Sequence, residues 1–168
     1  MFAAENGNLD IFKLLVDNGA NIGDDDYGKT ALMYAAGRGH PDIVRYLVDE
    51  KKVNVNQPDD DGKTPLMYAA ESGNPEVFHY LIEKGVDISA ASKKVGSVLP
   101  HAAAGDNPSI LQYCLEKNPQ ADIDEAREYY NGRTALMLAA QSGNLEGVKL
   151  LVGKGAKINK IDNNGAPH

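Results

Sequence analysis

Residues 23 to 30, Gly23-Asp24-Asp25-Asp26-Tyr27-Gly28-Lys29-Thr30, match Gly-x4-Gly-Lys-Thr, the spacing with which a glycine-rich loop wraps phosphates. Such a loop needs free amides and a positive field, and three consecutive aspartates supply the opposite field. It does not follow a buried strand within an alternating strand–helix chain. Gly28, Lys29 and Thr30 also recur in register as Gly62, Lys63 and Thr64, so a repeat accounts for them without a nucleotide. The carboxylate runs Asp24-Asp25-Asp26 and Asp59-Asp60-Asp61 raise the question of a divalent cation. A calcium loop alternates its oxygen ligands and closes on Glu, which neither run does. They read instead as solvated turns forming an acidic stripe that suits basic side chains on a partner. His40, His79, His101 and His168 have no metal-ligand spacing with one another or with cysteine. Cys114 sits in the apolar helical pattern Ile110-Leu111-Gln112-Tyr113-Cys114-Leu115 and reads as a small buried hydrophobe. No serine has a nameable base partner. The sequence therefore offers no catalytic, metal-binding or cofactor-binding residue, and the chain is read as a non-enzyme without a cofactor.

The chain has 168 residues, enough for a sizeable core. Its formal net charge of -7 opposes nucleic-acid binding, which needs a dense Lys/Arg field, and suits a basic protein partner. One cysteine allows no intrachain disulfide and fits a reducing compartment. No apolar run approaches the length of a membrane span, and the first ten residues lack a basic start followed by an apolar stretch. The expectation is an intracellular, cytoplasmic, membrane-free monomer.

The elements that must position these residues come in repeats. Tyr27-Gly28-Lys29-Thr30-Ala31-Leu32-Met33-Tyr34-Ala35-Ala36 returns at Asp61 to Ala70 and at Asn131 to Ala140. Gly39, Gly73 and Gly143 follow each copy, then the apolar segments from Ile43, Val77 and Gly147. Thr30, Thr64 and Thr134 are placed to cap a first short helix through their hydroxyls. The glycines that follow suit a left-handed stop, and a second helix ends near Gly19, Gly85 and Gly155. A fourth copy, from Gly96, is degraded. Val98 stands where the capping Thr is expected, at a cost of about 1 kcal/mol. It loses one residue before Ile110 and gains about four before Gly132. The units run 1–24 (partial), 25–58, 59–92, 93–128 (irregular), 129–161 and 162–168 (partial), in a single domain spanning 1–168. One unit cannot bury its own apolar face, so neighbours must stack. The stretch Asn118 to Tyr130 is too long for a standard hairpin and is either functional or a tolerated insertion.

This pattern resembles the ankyrin repeat, over nearly the whole chain. The resemblance implies an all-α solenoid of stacked helix-turn-helix units with short β-hairpin loops. The family's histidine after Thr-Pro-Leu is Met33, Met67 and Met137 here, which implies apolar packing where that histidine ties neighbouring hairpins. His101 is a candidate for the position in the fourth unit. His40 takes the family's Gly-His place and is expected to be structural. The resemblance also implies a protein partner on a concave face of hairpin tips and first helices. The positions carried over are Asp26, Tyr27 and Lys29; Asp60, Asp61 and Lys63; Lys93 and Lys94; Tyr130, Asn131 and Arg133; and, on the first helices, Arg38, Glu71 and Gln141. Tyr27, Tyr129 and Tyr130 are anchor types. Tip charge passes from acidic to basic along the chain, which would orient a ligand of mixed charge. The expected role is a scaffold or adaptor module. The alternatives are a targeting segment of a larger multidomain enzyme or effector, or an autonomous enzyme inhibitor.

Overall fold

The computed structural model describes residues 1–166, so Pro167 and His168, the last two positions of the closing unit, lie outside the described residues. The chain is helical, with no named strand among the described residues. Hairpin pairing is limited to isolated bridges, Asp24 with Thr30 and Ser92 with Gly96. The helices are α1 (Phe2–Asn6), α2 (Leu9–Asp17), α3 (Ala31–Gly37), α4 (Pro41–Arg45), α5 (Pro65–Ser72), α6 (Pro75–Glu83), α7 (Val98–Ala104), α8 (Pro108–Lys117), α9 (Ala135–Gln141) and α10 (Leu145–Gly153). They gather into two compact units, Met1–Asp87 and Ile88–His168.

In the first unit the short helices α1, α3 and α5 pack side by side, with α4 and α6 behind α3 and α5. Alanines at 35, 36, 69 and 70 are fully buried and let the short helices approach closely. Leu32, Met33, Ile43, Leu47, Leu66, Met67, Phe78 and Leu81 fill the core. Burial of Met33 and Met67 meets the expectation that these positions pack apolar surface. Thr30 caps α3, its hydroxyl accepting from the Met33 amide at 3.3 Å. Thr64 has the same cap conformation before α5, but its hydroxyl accepts no cap bond, contrary to the sequence expectation. Pro65 occupies the first helical position and removes one amide that would have needed an acceptor.

The second helix of the Thr30 repeat has a feature the pattern did not announce. α4 continues into a π-helical turn over Tyr46–Glu50, and Lys52 then takes the left-handed conformation at φ 55°. Gly85 and Gly155 do this after α6 and α10. From Leu47 to Lys52 there are five steps, whereas from Leu81 to Gly85 there are four. The wide turn absorbs the extra residue, and a lysine performs a turn that glycine makes elsewhere.

In the second unit α7 packs on α8 and α9, and α9 on α10. Val95, Leu99, Ile110, Leu111, Leu136 and Leu151 form the core. Cys114 is buried there, and burial pushes its thiol up to about 12. The missing residue lies between Gly96 and the helix cap. Ser97, not Val98, is the cap of α7, its hydroxyl accepting from the Leu99 amide at 3.4 Å. Val98 is the first helical residue, so the expected loss of a cap does not arise. Counted from that cap, His101 matches Tyr34 and Tyr68, while Pro100 holds the methionine position. This corrects the expectation for His101. The ring is fully buried, and its Nδ1 lies 2.8 Å from the Tyr130 hydroxyl.

The long stretch after α8 acts as a strut. Buried Glu125 accepts from the Ser97 amide at 3.0 Å and from its hydroxyl at 2.7 Å, and Arg127 Nε donates to it at 2.9 Å. Asp124 accepts the Lys157 amide at 2.9 Å, beyond α10. The added residues thus reach backward to the start of α7 and forward past the next helix pair.

Candidate functional site

Each regular hairpin tip is built on one aspartate. Asp25 Oδ1 accepts the amides of Tyr27 and Lys29 at 2.9 and 3.0 Å, and its Oδ2 accepts the Tyr34 phenol at 2.7 Å. Asp59 repeats the arrangement with the amides of Asp61 and Lys63 and the Tyr68 phenol. Asp162 takes the amides of Asn164 and Ala166. The Tyr34 bond is the largest influence holding the Asp25 carboxyl below its ordinary range, and it raises the Tyr34 phenol to about 12. A phosphate in the Gly23–Thr30 loop would need those same amides, and an internal carboxylate occupies them. Among the described residues no three His, Cys, Asp or Glu side chains gather to hold a metal ion.

Adjacent tips are laced together. The Asp60 amide donates to the Tyr27 carbonyl at 3.2 Å in the first unit, and the Asn163 amide to the Asn131 carbonyl at 2.9 Å in the second. Gly28 makes the first contact, since a Cβ there would lie 2.8 Å from the Asp60 nitrogen. The lacing leaves Asp26, Tyr27 and Asp60 exposed, Tyr27 to 72%, with Asp61 half-exposed.

Beside the tips of the first unit lies a groove of about 240 Å³ lined by Glu5, Lys29, Met33, Tyr34, Arg38 and Tyr68, with Gly37 at its edge. It brings together two of the sequence candidates, Lys29 and Arg38. Arg38 Nε donates to Glu5 Oε1 at 3.1 Å, and the Lys29 ammonium stands 5.8 Å from the Tyr68 ring centroid. Tyr34 and Tyr68 were missed in the sequence. Their signal is a tyrosine nine residues after each turn aspartate.

Lys63 is a correction. It occupies the tip position of Lys29 but is only 2% exposed, its ammonium 4.1 Å from the Tyr68 centroid and paired with Glu71. It offers no surface to a partner, and Glu71 is half-buried on it.

In the second unit Lys93 and Lys94 are exposed. Tyr130, Arg133 and Gln141 line a groove of about 420 Å³ with Ala104, Leu138 and Ser142. Arg133 Nη1 donates to the Gln141 amide oxygen at 2.9 Å, and its Nε lies 3.5 Å from Asp162. Tyr129 and Tyr130 stack edge to face at 4.9 Å and both pack near His101, so Tyr130 is half-buried rather than a projecting anchor. Asn131 is half-buried and left-handed at φ 56°. Tyr129 and Leu138 replace the Asp–Tyr pair of the regular tips, so both partners of that bond are absent together. His40 is structural, its Nε2 lying 2.8 Å from the Glu5 carbonyl. His79 is half-buried with its ring edge-on to Phe78. No helix among the described residues is long and apolar enough to cross a membrane.

These repeated tips and helix pairs have counterparts in known proteins. The family described as ankyrin repeats (3 copies) matches residues 1–92 and again 91–162. An L-asparaginase of Dirofilaria immitis is 32% identical over 162 residues, covering 96% of this chain and 27% of that protein. Protein fem-1 homolog A of Bos taurus is 41% identical over 54 residues, covering 32% of this chain and 8% of that protein. The chain spans about a quarter or less of the length of these relatives. Family matches along almost its whole length, on a structure of stacked short helices with laced turns, establish that the chain belongs to the ankyrin-repeat family.

Proposed function

We propose that this chain is a protein-interaction module, a scaffold or adaptor without catalysis of its own, working as a monomer inside the cell with neither nucleic acid nor membrane as its partner. Ankyrin repeats are generally protein-interaction modules. The observation that carries the reading further is the rigid display of the tips. Asp25 and Asp59 spend their carboxylates on their own loops, so Asp26, Tyr27 and Asp60 project from turns ordered before any partner arrives. Such preorganisation lowers the entropy cost of binding. In the second unit Lys93, Lys94, Tyr130, Asn131, Arg133 and Gln141 are the proposed contacts. The test is affinity capture from the source cell with the unaltered chain and with an Asp60→Lys/Asp61→Lys variant. Loss of the captured protein with the variant, and its retention with a Lys154→Glu control, is expected. Equal capture by all three overturns the reading.

The similarity to a stretch of the Dirofilaria L-asparaginase favours a second reading, in which the chain is the repeat segment of a larger enzyme. The chain alone would then leave asparagine unhydrolysed, while the protein containing it would hydrolyse it.

A further inference from the structure

The groove of the first unit holds cationic donors that the unit itself leaves unused, and we infer that they seat one acidic side chain of a partner segment whose flanking residues are basic. This deepens the protein-binding reading and rests on it. In Met1–Asp87, Lys13, Arg38, Arg45, Lys51, Lys63 and Lys84 each pair with a carboxylate. Lys29, itself half-buried, makes no ion pair among the described residues, and its ammonium stands 5.8 Å from the Tyr68 ring centroid. Arg38 engages Glu5 through Nε and Nη2, and its Nη1 has no protein acceptor among the described residues. Both side chains line the same groove. Lys52, the other unpaired lysine of this unit, is exposed and lies outside it.

The walls suit a carboxylate carried on a short apolar stem. Tyr34 and Tyr68 are fixed by 2.7 Å bonds to Asp25 and Asp59, and Met33 closes the floor. At about 240 Å³ the groove takes one side chain, not a helix. Beside it the tips present Asp26, Asp60 and Asp61, which call for Lys or Arg on either side of the anchor. The net charge of -7 gives the preference its meaning. Long-range attraction from this chain favours wholly basic ligands, so an acidic preference at one position is a property of the groove. In the second unit Arg133, which holds the tip position of Lys29, is by contrast engaged by Gln141 and Asp162.

The probe is a random dodecapeptide phage library selected on the whole chain, on Lys29→Met, on Lys29→Glu and on a Lys154→Glu control, with circular dichroism melts showing that each variant folds. Enrichment of one Asp or Glu position flanked by Lys or Arg is expected on the unaltered chain and on the control. Peptides so selected should bind Lys29→Met about tenfold more weakly by fluorescence anisotropy. Lys29→Glu should select a basic residue at the anchor position. Selected peptides without an acidic position, or with binding indifferent to Lys29→Met, overturn the inference and leave the module reading standing. An absence of any enrichment also overturns it, and capture with the Asp60/Asp61 variant then judges the module reading separately.

Discussion

At the scale of single residues, the tips depend on a hydrogen bond whose two ends titrate far apart. The Tyr34 bond to Asp25 requires a protonated phenol and an ionised carboxylate. The Asp25 carboxyl is lowered chiefly by that bond, so its contribution is present above the ordinary carboxylate range and is lost as pH falls through the lowered folded value. The phenol is raised from 10.0 to about 12, so its contribution is complete below the ordinary value and is lost as pH rises toward the folded one. Thermal melts of the unaltered chain and Tyr34→Phe should therefore differ at neutral pH, and the difference should shrink between about pH 10 and 12. A difference constant across that range would show that the bond is not what holds the loop. Lys52 makes a second expectation. A lysine held at φ 55° carries a backbone cost that glycine avoids, so Lys52→Gly should stabilise the chain by about 1 kcal/mol in urea unfolding, net of the greater freedom of its unfolded state. The recurrence of Gly at 19, 85 and 155 made left-handed stops legible, but nothing in a lysine's type reveals that the chain asks the same of it. The surface expected of Lys63 failed for a similar reason. Its tip position matches that of Lys29, and only the three-dimensional place of Glu71 and Tyr68 decides that one ammonium is buried and the other half-exposed.

At the scale of elements, the regular units were legible because their signals are local. Thr30 and Thr134 cap helices that begin at the next residue, and the alanines mark the close helix faces. The irregular unit was less so. A single missing residue moved the cap from the expected Val98 to Ser97 and moved His101 into the place of the tyrosines. The role of the long stretch was hidden because Glu125 acts on a helix start 28 residues earlier. Burial pushes the Glu125 carboxyl up, but the Ser97 hydroxyl and amide and Arg127 outweigh it and leave it below its usual range. Its contribution is therefore lost as pH falls through that lowered value. Glu125→Gln should cost about 1–3 kcal/mol in chemical unfolding, because the Ser97 donors lose a charged acceptor in a buried place. Amides of α7 should also exchange faster. Exposed Glu128→Gln should stay within about 0.5 kcal/mol. Equal costs for the two would make the stretch a tolerated insertion rather than a strut.

At the scale of the whole molecule, repetition separates what the chain is from what it holds. The same turn occurs in both compact units, yet among the described residues only the first keeps the Asp–Tyr bond in two successive copies and keeps Lys29 uncommitted beside it. The fold follows from what the copies share, whereas binding preference follows from where they differ. For that reason the family was readable from the sequence and the groove was not. Surface electrostatics of this kind is screened by salt, so affinity for a mixed-charge segment should weaken as ionic strength rises past the physiological range.

Lys63 gives the molecule an internal timekeeper. An amine-acylating reagent should modify the exposed lysines, Lys52, Lys93, Lys94 and Lys154 among them, while the chain remains folded. Lys63, 2% exposed and held by Glu71, should wait until its part of the repeat opens. Mass spectrometry of the peptide carrying it would then read the frequency of that opening from a single natural amine. Urea below the unfolding midpoint should accelerate labelling at Lys63 far more than at Lys154, and parallel rates would show that this burial does not persist.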